Sequence, residues 1–288
     1  MNKLTTFNPF HSGLKILHPF IWILVAVLYS PILWQLYHNR WETVDYTHAY
    51  FIFPISLWLA WRNRIKIREL AGKKTSEKSL SAFLTLFAGI SMFIFGWRQD
   101  YLFIATLSLV PMLVGLISYI YGWNVVKVLS FPILYLLLLV PPPMGILDSI
   151  TLPMRHGISF LAEKILRFLD YPITREGLLL TIGYNDIFMG QPCSGFRSLI
   201  TMFSLVLVYV YINKSSLNKK IILTLFIIPF ALLGNLIRVI TLCLVTFYFG
   251  EETGQGFFHN FSGIMVFVIT ILGIIGLESL LEGKSKGV

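Results

Sequence analysis

Charge is scarce along this chain. Only 13% of its 288 residues are Asp, Glu, Lys or Arg, against 56% that are hydrophobic. An ordinary soluble domain carries about a quarter charged residues, so that class is excluded. Cysteine is nearly absent as well, with only Cys193 and Cys243. No Cys-x-x-Cys or His-Glu-x-x-His spacing and no phosphate-binding glycine loop occurs, so the sequence offers neither a metal site nor a nucleotide cradle, and no cofactor is expected. The first apolar run is too long for a signal-peptide core and lacks a small-x-small cleavage site, so it reads as a retained helix. The net charge is +9, but the basic residues crowd one set of loops. They therefore report membrane topology and not nucleic-acid binding.

What the chain has in abundance is long apolar runs, and roughly 20 residues suffice to cross the hydrocarbon. Eight runs are found, at 16–36, 48–61, 80–97, 101–121, 125–140, 196–212, 221–249 and 261–281. The expectation is an all-α polytopic membrane protein with about eight transmembrane helices, forming one integral unit over residues 1–288. The second and fifth runs are short and contain Pro54 and Pro132. Lys and Arg collect at the N-terminus, in 62–78, at Lys127, in 213–220 and in the tail, which puts those segments and both termini in the cytoplasm. The opposite loops are short except for residues 141–192. There Leu147, Ile150, Met154, Ile158, Leu161, Ile165 and Phe168 recur at steps of three and four, predicting an outer amphipathic helix in the interface, with Pro153 as a break point. Pro141, Pro142 and Pro143 end the fifth helix, and residues 173–189 read as a short outer hairpin around Gly183, Tyr184, Asn185 and Asp186.

The chemistry-bearing stretch is Gln-Pro-Cys-Ser-Gly-Phe-Arg-Ser-Leu at 191–199. Pro192 stiffens the backbone, and Ser194 and Gly195 are small enough for a substrate backbone to approach. A thiol at Cys193 in the first turn of the sixth helix feels the positive end of the helix dipole, which favours the thiolate. A lone cysteine is otherwise a small buried hydrophobe. That is the reading for Cys243 among Leu242, Leu244 and Val245.

Arg238 lies 17 residues along the seventh run, about 25 Å at the helical rise, and therefore in the outer leaflet. Arginine there costs at least about 2.5 kcal/mol on insertion scales, so it must face a polar interior. Asn235 lies one turn earlier on the same face. Three readings fit Arg238: bracing helices by pairing with an acid or backbone carbonyls, snorkelling outward, or serving a site. Arg197, four residues after Cys193, competes with it for the third. His259 opens the eighth helix in a glycine-containing segment and supplies an imidazole suited to proton transfer near neutral pH. His156 is expected on the polar face of the amphipathic helix.

Taken in order, Cys193 to Ser198 as Cys-Ser-Gly-x-Arg-Ser, Asn235 to Arg238 as Asn-x-x-Arg, and the lone His259 make the chain resemble the exosortase and archaeosortase family of membrane cysteine transpeptidases. Asp45, Tyr46, Thr47, His48 and Ala49 are similar to that family's early motif. Pro192 and Ala49 depart from its usual residues. The resemblance implies a cysteine enzyme that cleaves C-terminal sorting signals of secreted proteins and transfers the new C-terminus to an acceptor such as a lipid or glycolipid. The signals expected have three parts: a short Pro-Glu-Pro-like motif, a membrane helix and a basic cluster. It implies Cys193 as nucleophile, His259 as proton shuttle and Arg238 as stabiliser of the oxyanion or thiolate, supported by Ser194, Gly195, Asn235 and Arg197, with no metal. It also implies the bacterial cytoplasmic (inner) membrane, with the active site facing the periplasm or exterior. Arg40, Arg155 and Arg175 are the candidates to meet an acidic residue of the substrate. Rival readings are a non-enzymatic transporter or lipid-binding protein, and a purely hydrolytic intramembrane protease.

Overall fold

The computed structural model describes residues 9–41, 48–71, 80–143, 145–190, 195–213, 216–254, 256 and 259–285. Each apolar run is helical. Helix α1 (Pro9–Leu36) ends in a π-helical turn at Tyr37–Trp41, and is followed by α2 (Ala49–Arg62), the basic α3 (Arg64–Ala71) and α4 (Leu80–Arg98). Next come α5 (Leu102–Leu107), α6 (Leu109–Tyr121) and α7 (Trp123–Tyr135), which tightens into a 3-10 turn at Leu136–Leu139. After α8 (Ile146–Phe168) and a small sheet follow α9 (Phe196–Ile212), α10 (Leu217–Phe249), the single turn α11 (Glu251–Thr253) and α12 (His259–Ser285). Among the described residues, four stretches are long and apolar enough to cross a membrane: Pro19–Asn39, Leu80–Arg98, Leu102–Tyr121 and Leu217–Phe249. Trp123–Leu139, Ser198–Ile212 and Val266–Leu281 are shorter apolar helices.

Two helical groups carry the core. Tyr29, Ile32 and Leu36 of α1 pack with Ala49, Ile52, Phe93, Met112 and Leu139. Met202 and Val206 of α9 pack with Leu223 and Ile227 of α10 and Ile274 of α12. Tyr211 of α9 joins the groups: its ring stacks on Phe131 at 4.1 Å, and Asn63 donates to its hydroxyl at 3.1 Å. Small residues set how closely α4 and α6 approach. A Cβ added at Gly89 would stand 2.8 Å from the Met112 Cα, and one at Gly115 would stand 2.5 Å from the Leu86 Cα. Gly96 sits equally close to Ala105, at the turn between α4 and α5. Lipid offers no hydrophobic drive for helices to associate, so such backbone proximity is what makes the dispersion contacts large enough to hold them.

The structure departs from the sequence-based expectation in four places. Run 101–121 stays one helical stretch, Leu102–Tyr121, but its hydrogen-bond ladder is interrupted at Ser108, because Pro111 has no N–H for the Leu107 carbonyl; the Ser108 hydroxyl donates to the Ala105 carbonyl at 2.6 Å and shares a hydrogen bond with Tyr29. Helix α8 runs unbroken through Pro153, since Ser149, whose carbonyl loses its partner, is exposed along with the proline. Helix α8 leaves most of its apolar stripe exposed, and it also has a buried face that the periodicity did not reveal. Ile150, Leu161, Ile165 and Phe168 are exposed, and the buried face is Thr151, Arg155, Ile158, Ser159, Ala162 and Leu166. Small Ser159 and Ala162 allow α8 to approach its neighbours, which the larger residues would prevent.

The hairpin, finally, is a three-stranded antiparallel meander of β1 (Ile173–Glu176), β2 (Leu179–Ile182) and β3 (Asn185–Phe188). The expected turn at Gly183 is present, and a second one is made by Gly177 at φ 61°. The fold is therefore predominantly helical and not purely so.

At the end of the bundle away from the sheet, Glu278 of α12 accepts from Tyr209 of α9 and pairs with Lys219 of α10 at 2.9 Å. Asn213 adds a hydrogen bond to the Tyr209 hydroxyl at 2.9 Å. We expect Glu278→Ala, which removes the carboxylate shared by Lys219 and Tyr209, to cost about 2 kcal/mol in thermal unfolding of the detergent-solubilised chain, and Lys219→Met with Glu278→Met together to cost less than the single change. In the same assay Gly115→Ala should destabilise by about 1–3 kcal/mol through the forced separation of α4 and α6. Gly157→Ala, where nothing lies within 4 Å of the added atom, should be neutral.

Candidate functional site

The buried face of α10 repeats at three and four residues: Leu223, Ile227, Ala231, Gly234, Asn235, Arg238, Val239, Leu242, Cys243 and Thr246. Most of these are apolar, and polar Asn235 and Arg238 interrupt the row one turn apart. Asn235 is completely buried and Arg238 is 7% exposed. The expectation that Arg238 turns away from lipid into the protein is met, because three sets of neighbours enclose this part of the helix.

The first neighbour is the start of α9. Gly195 caps that helix in the left-handed region at φ 72°, so the helix begins at Phe196 and not at Cys193. A Cβ at Gly195 would stand 2.7 Å from the Asn235 Cγ and 2.8 Å from its Cβ and Nδ2. Only glycine meets both demands, a positive φ and the absence of a side chain. The Cys-Ser-Gly-x-Arg-Ser and Asn-x-x-Arg motifs thus touch, through Gly195 and Asn235. Cys193 and Ser194 lie outside the described residues, as does the side chain of Arg197, whose backbone stands in the first turn of α9. The expectation that Cys193 and Arg197 share a helical face has to be corrected, because Cys193 comes two positions before the cap.

The second neighbour is α12. Here Gly234 supplies the close approach, with an added Cβ 3.1 Å from the Val266 side chain. Further along, Gly273 meets the ring of Phe230, so the two helices run antiparallel. Counting from the Gly234–Val266 level toward the sheet end, Arg238 is about 6 Å along α10 and the first residue of α12, His259, is about 10 Å along that helix. The backbone register therefore brings His259 and Arg238 to within about one turn in depth; the side chain of His259 lies outside the described residues.

The third neighbour is α8 with the sheet. Ile158, Ala162 and Leu166 of α8 join Ile173, Leu180, Ile182, Ile187 and Met189 of the sheet in one cluster with Val239, Leu242 and Cys243. Cys243 is a fully buried thiol there, as its apolar neighbours in sequence predict. Asn185 donates to the Thr246 carbonyl at 3.4 Å and the Tyr171 and Tyr248 hydroxyls bond at 3.1 Å, which moor the sheet to the end of α10. The N–H of Met189 donates to the Leu178 carbonyl at 2.9 Å, fixing the chain as it leaves β3. Cys193 therefore falls in sequence between two fixed points, Met189 and Gly195.

Of the remaining expected residues, His48 is buried at the start of α2, and His156 is exposed on α8. Arg175 is engaged, with its Nε 3.1 Å from Glu163 and an Nη donating to the Gly177 carbonyl at 2.9 Å. Arg40 has its side chain outside the described residues. Arg155 is buried on α8. Sequence reasoning overlooked Gly234, whose only signal was a small residue beside Asn235 in an apolar helix.

A family model for transmembrane exosortases (Exosortase_EpsH) matches residues 41–276. No curated protein and no solved structure matches the chain. The matched stretch holds Gly195, Asn235, Arg238 and the α10–α12 register just described, together with the segment that carries Cys193, and it covers most of the chain. This protein is thus an integral membrane protein that belongs to the transmembrane exosortase family.

Proposed function

We propose that the chain is a membrane cysteine transpeptidase that cleaves C-terminal sorting signals of secreted proteins and passes the new C-terminus to an acceptor. The observation that carries this reading is the packing of Gly195 against Asn235, one turn from buried Arg238, beside the helix that His259 opens. Chain connectivity alone keeps the Cα of Cys193 within about 7.6 Å of that of Gly195. Eight helical passes would leave both termini in the cytoplasm and the sheet end, with the site, facing the periplasm or exterior. The inner membrane of a bacterium is the compartment that fits.

In this reading the Cys193 thiolate attacks a peptide carbonyl, forming a C–S bond and a tetrahedral oxyanion. Arg238 stabilises that negative charge, or holds the thiolate before attack. When the C–N bond breaks, the leaving amine takes a proton, with His259 as its donor, and a thioester remains. An acceptor amine or hydroxyl, on a lipid or glycolipid, then attacks the thioester and gives up its own proton as the thiol is released. A substrate held by its own membrane helix, carrying the Pro-Glu-Pro-type motif just ahead of it, would present that flank at the depth of the site.

The test is a processing assay in membranes with a reporter bearing such a three-part tail. Cys193→Ala should abolish processing, and Arg238→Ala and His259→Ala should each slow it by about a hundredfold or more, with expression unchanged. A product heavier than the hydrolysed fragment identifies the transfer step, and a bare hydrolysed product would point to the protease. Normal processing by Cys193→Ala would sink the catalytic reading in favour of a transporter. A separate expectation concerns the cap: Gly195→Ala should lower thermal stability by about 1–3 kcal/mol and slow processing, because it forces a strained φ and displaces Asn235.

A further inference from the structure

Helix α8 turns an unexpected set of residues inward. Thr151, Arg155, Ser159, Ala162 and Leu166 fall on one helical face, the face whose apolar members pack with Val239, Leu242 and Cys243 of α10. Arg155 is the one charged residue of α8 that is buried, with 8% of the residue exposed. Its ionic partner stands off. The nearest oxygen of Asp148 is 3.9 Å from Nη2, and that carboxylate is 59% exposed. The Nε of Arg155 and the Oγ1 of Thr151, one turn earlier, have no hydrogen-bond partner among the described residues. A guanidinium stays charged at every physiological pH, and an unpaired donor on a buried one is costly. Such a pair of donors calls for an acceptor that arrives from elsewhere.

We infer that Arg155 and Thr151 form a carboxylate-binding subsite, which holds an acidic side chain of the substrate segment just ahead of the substrate's membrane helix. The shape of the donors points to this class: the Nε edge of a guanidinium presents parallel N–H groups to two carboxylate oxygens, and a hydroxyl one turn away completes the set. Location points to a peptide and not to a lipid headgroup. The subsite belongs to the inward face of α8, and the exposed face carries Ile150, Leu161, Ile165 and Phe168. Asp148 acts as a distant counter-ion when the subsite is empty. Arg175, the other described arginine of this region considered for an acidic residue, already holds Glu163. The identity of the peptide rests on the transpeptidase reading; the existence of the subsite does not.

The experiment separates the two. Full-length chain carrying Cys193→Ala is placed in phosphatidylcholine nanodiscs, and binding is measured for a fluorescent peptide made of one membrane helix preceded by a short segment with a single Glu, and for its Gln analogue. The Glu peptide should bind about tenfold or more tightly than the Gln peptide, the worth of one charge-assisted contact. Arg155→Gln should erase that preference while binding the Gln peptide as well as before, which shows that the fold is intact. Arg155→Lys should keep only part of it, because an ammonium cannot grip two oxygens in the same plane. A preference that survives Arg155→Gln, or no preference at all, overturns the inference. So does a preference that disappears when phosphatidylglycerol is added, which would make the occupant a lipid. If instead the preference stands and no Cys193-dependent cleavage is found, the subsite holds and the enzymatic reading falls.

Discussion

Asn235 and Arg238 lie in the middle of a helix otherwise too apolar to rest anywhere but in lipid, and neither side chain is tolerable there unless protein encloses it. Much of the site end of the molecule follows from that constraint. Helix α10 is wrapped on one side by the cap of α9, on another by α12 and on a third by α8 with its sheet. Each wrapping contact is made close by a small residue at the point of nearest approach: Gly195 against Asn235, Gly234 against Val266, and Ser159 and Ala162 on the buried face of α8. Removing water and lipid from around Asn235 and Arg238 also raises the strength of any electrostatic interaction they make, which is what a site for handling negative charge requires.

The sheet is small, but its position matters more than its size. It is moored to α10 by Asn185 and to the end of that helix by Tyr171, and its last strand hands the chain to the α9 cap. In sequence, Cys193 falls between two fixed points, Met189 and Gly195. The far end of the same three helices is tied by Lys219, Glu278 and Tyr209. The α9–α10–α12 unit is clamped at one end by charge and at the other by close backbone packing. Tyr211 and Asn63 then fasten this unit to the N-terminal helices.

Placing Arg155 inward gives α8 a second role beside that of a surface helix. One face is apolar and exposed, in keeping with a position at the interface. The other carries permanent charge toward the helix that bears Arg238. Two arginines on neighbouring helices are both buried: Arg238 sits one turn from the residue that Gly195 touches, and Arg155 has a buried Nε with no hydrogen-bond partner among the described residues.

Hydropathy and motif order made the helical, membrane-embedded class legible in the sequence, along with each apolar helix, the existence of α8 and the family. Those properties are local: a run of apolar residues has to form a helix in lipid whatever its neighbours are, and short motifs keep their order along the chain. The inward turn of Arg238 was legible too, because burying it in lipid is prohibitive in any fold. What tertiary structure alone decided was the interrupted ladder at Ser108, the third strand, the start of α9 at Phe196 and the side of α8 that faces in. Each depends on residues distant in sequence or on a backbone conformation with several sequence solutions. Arg155 and Arg175 look equivalent as letters, and they separate only because Glu163 lies where Arg175 can reach it and the small residues of α8 draw Arg155 against the rest of the protein.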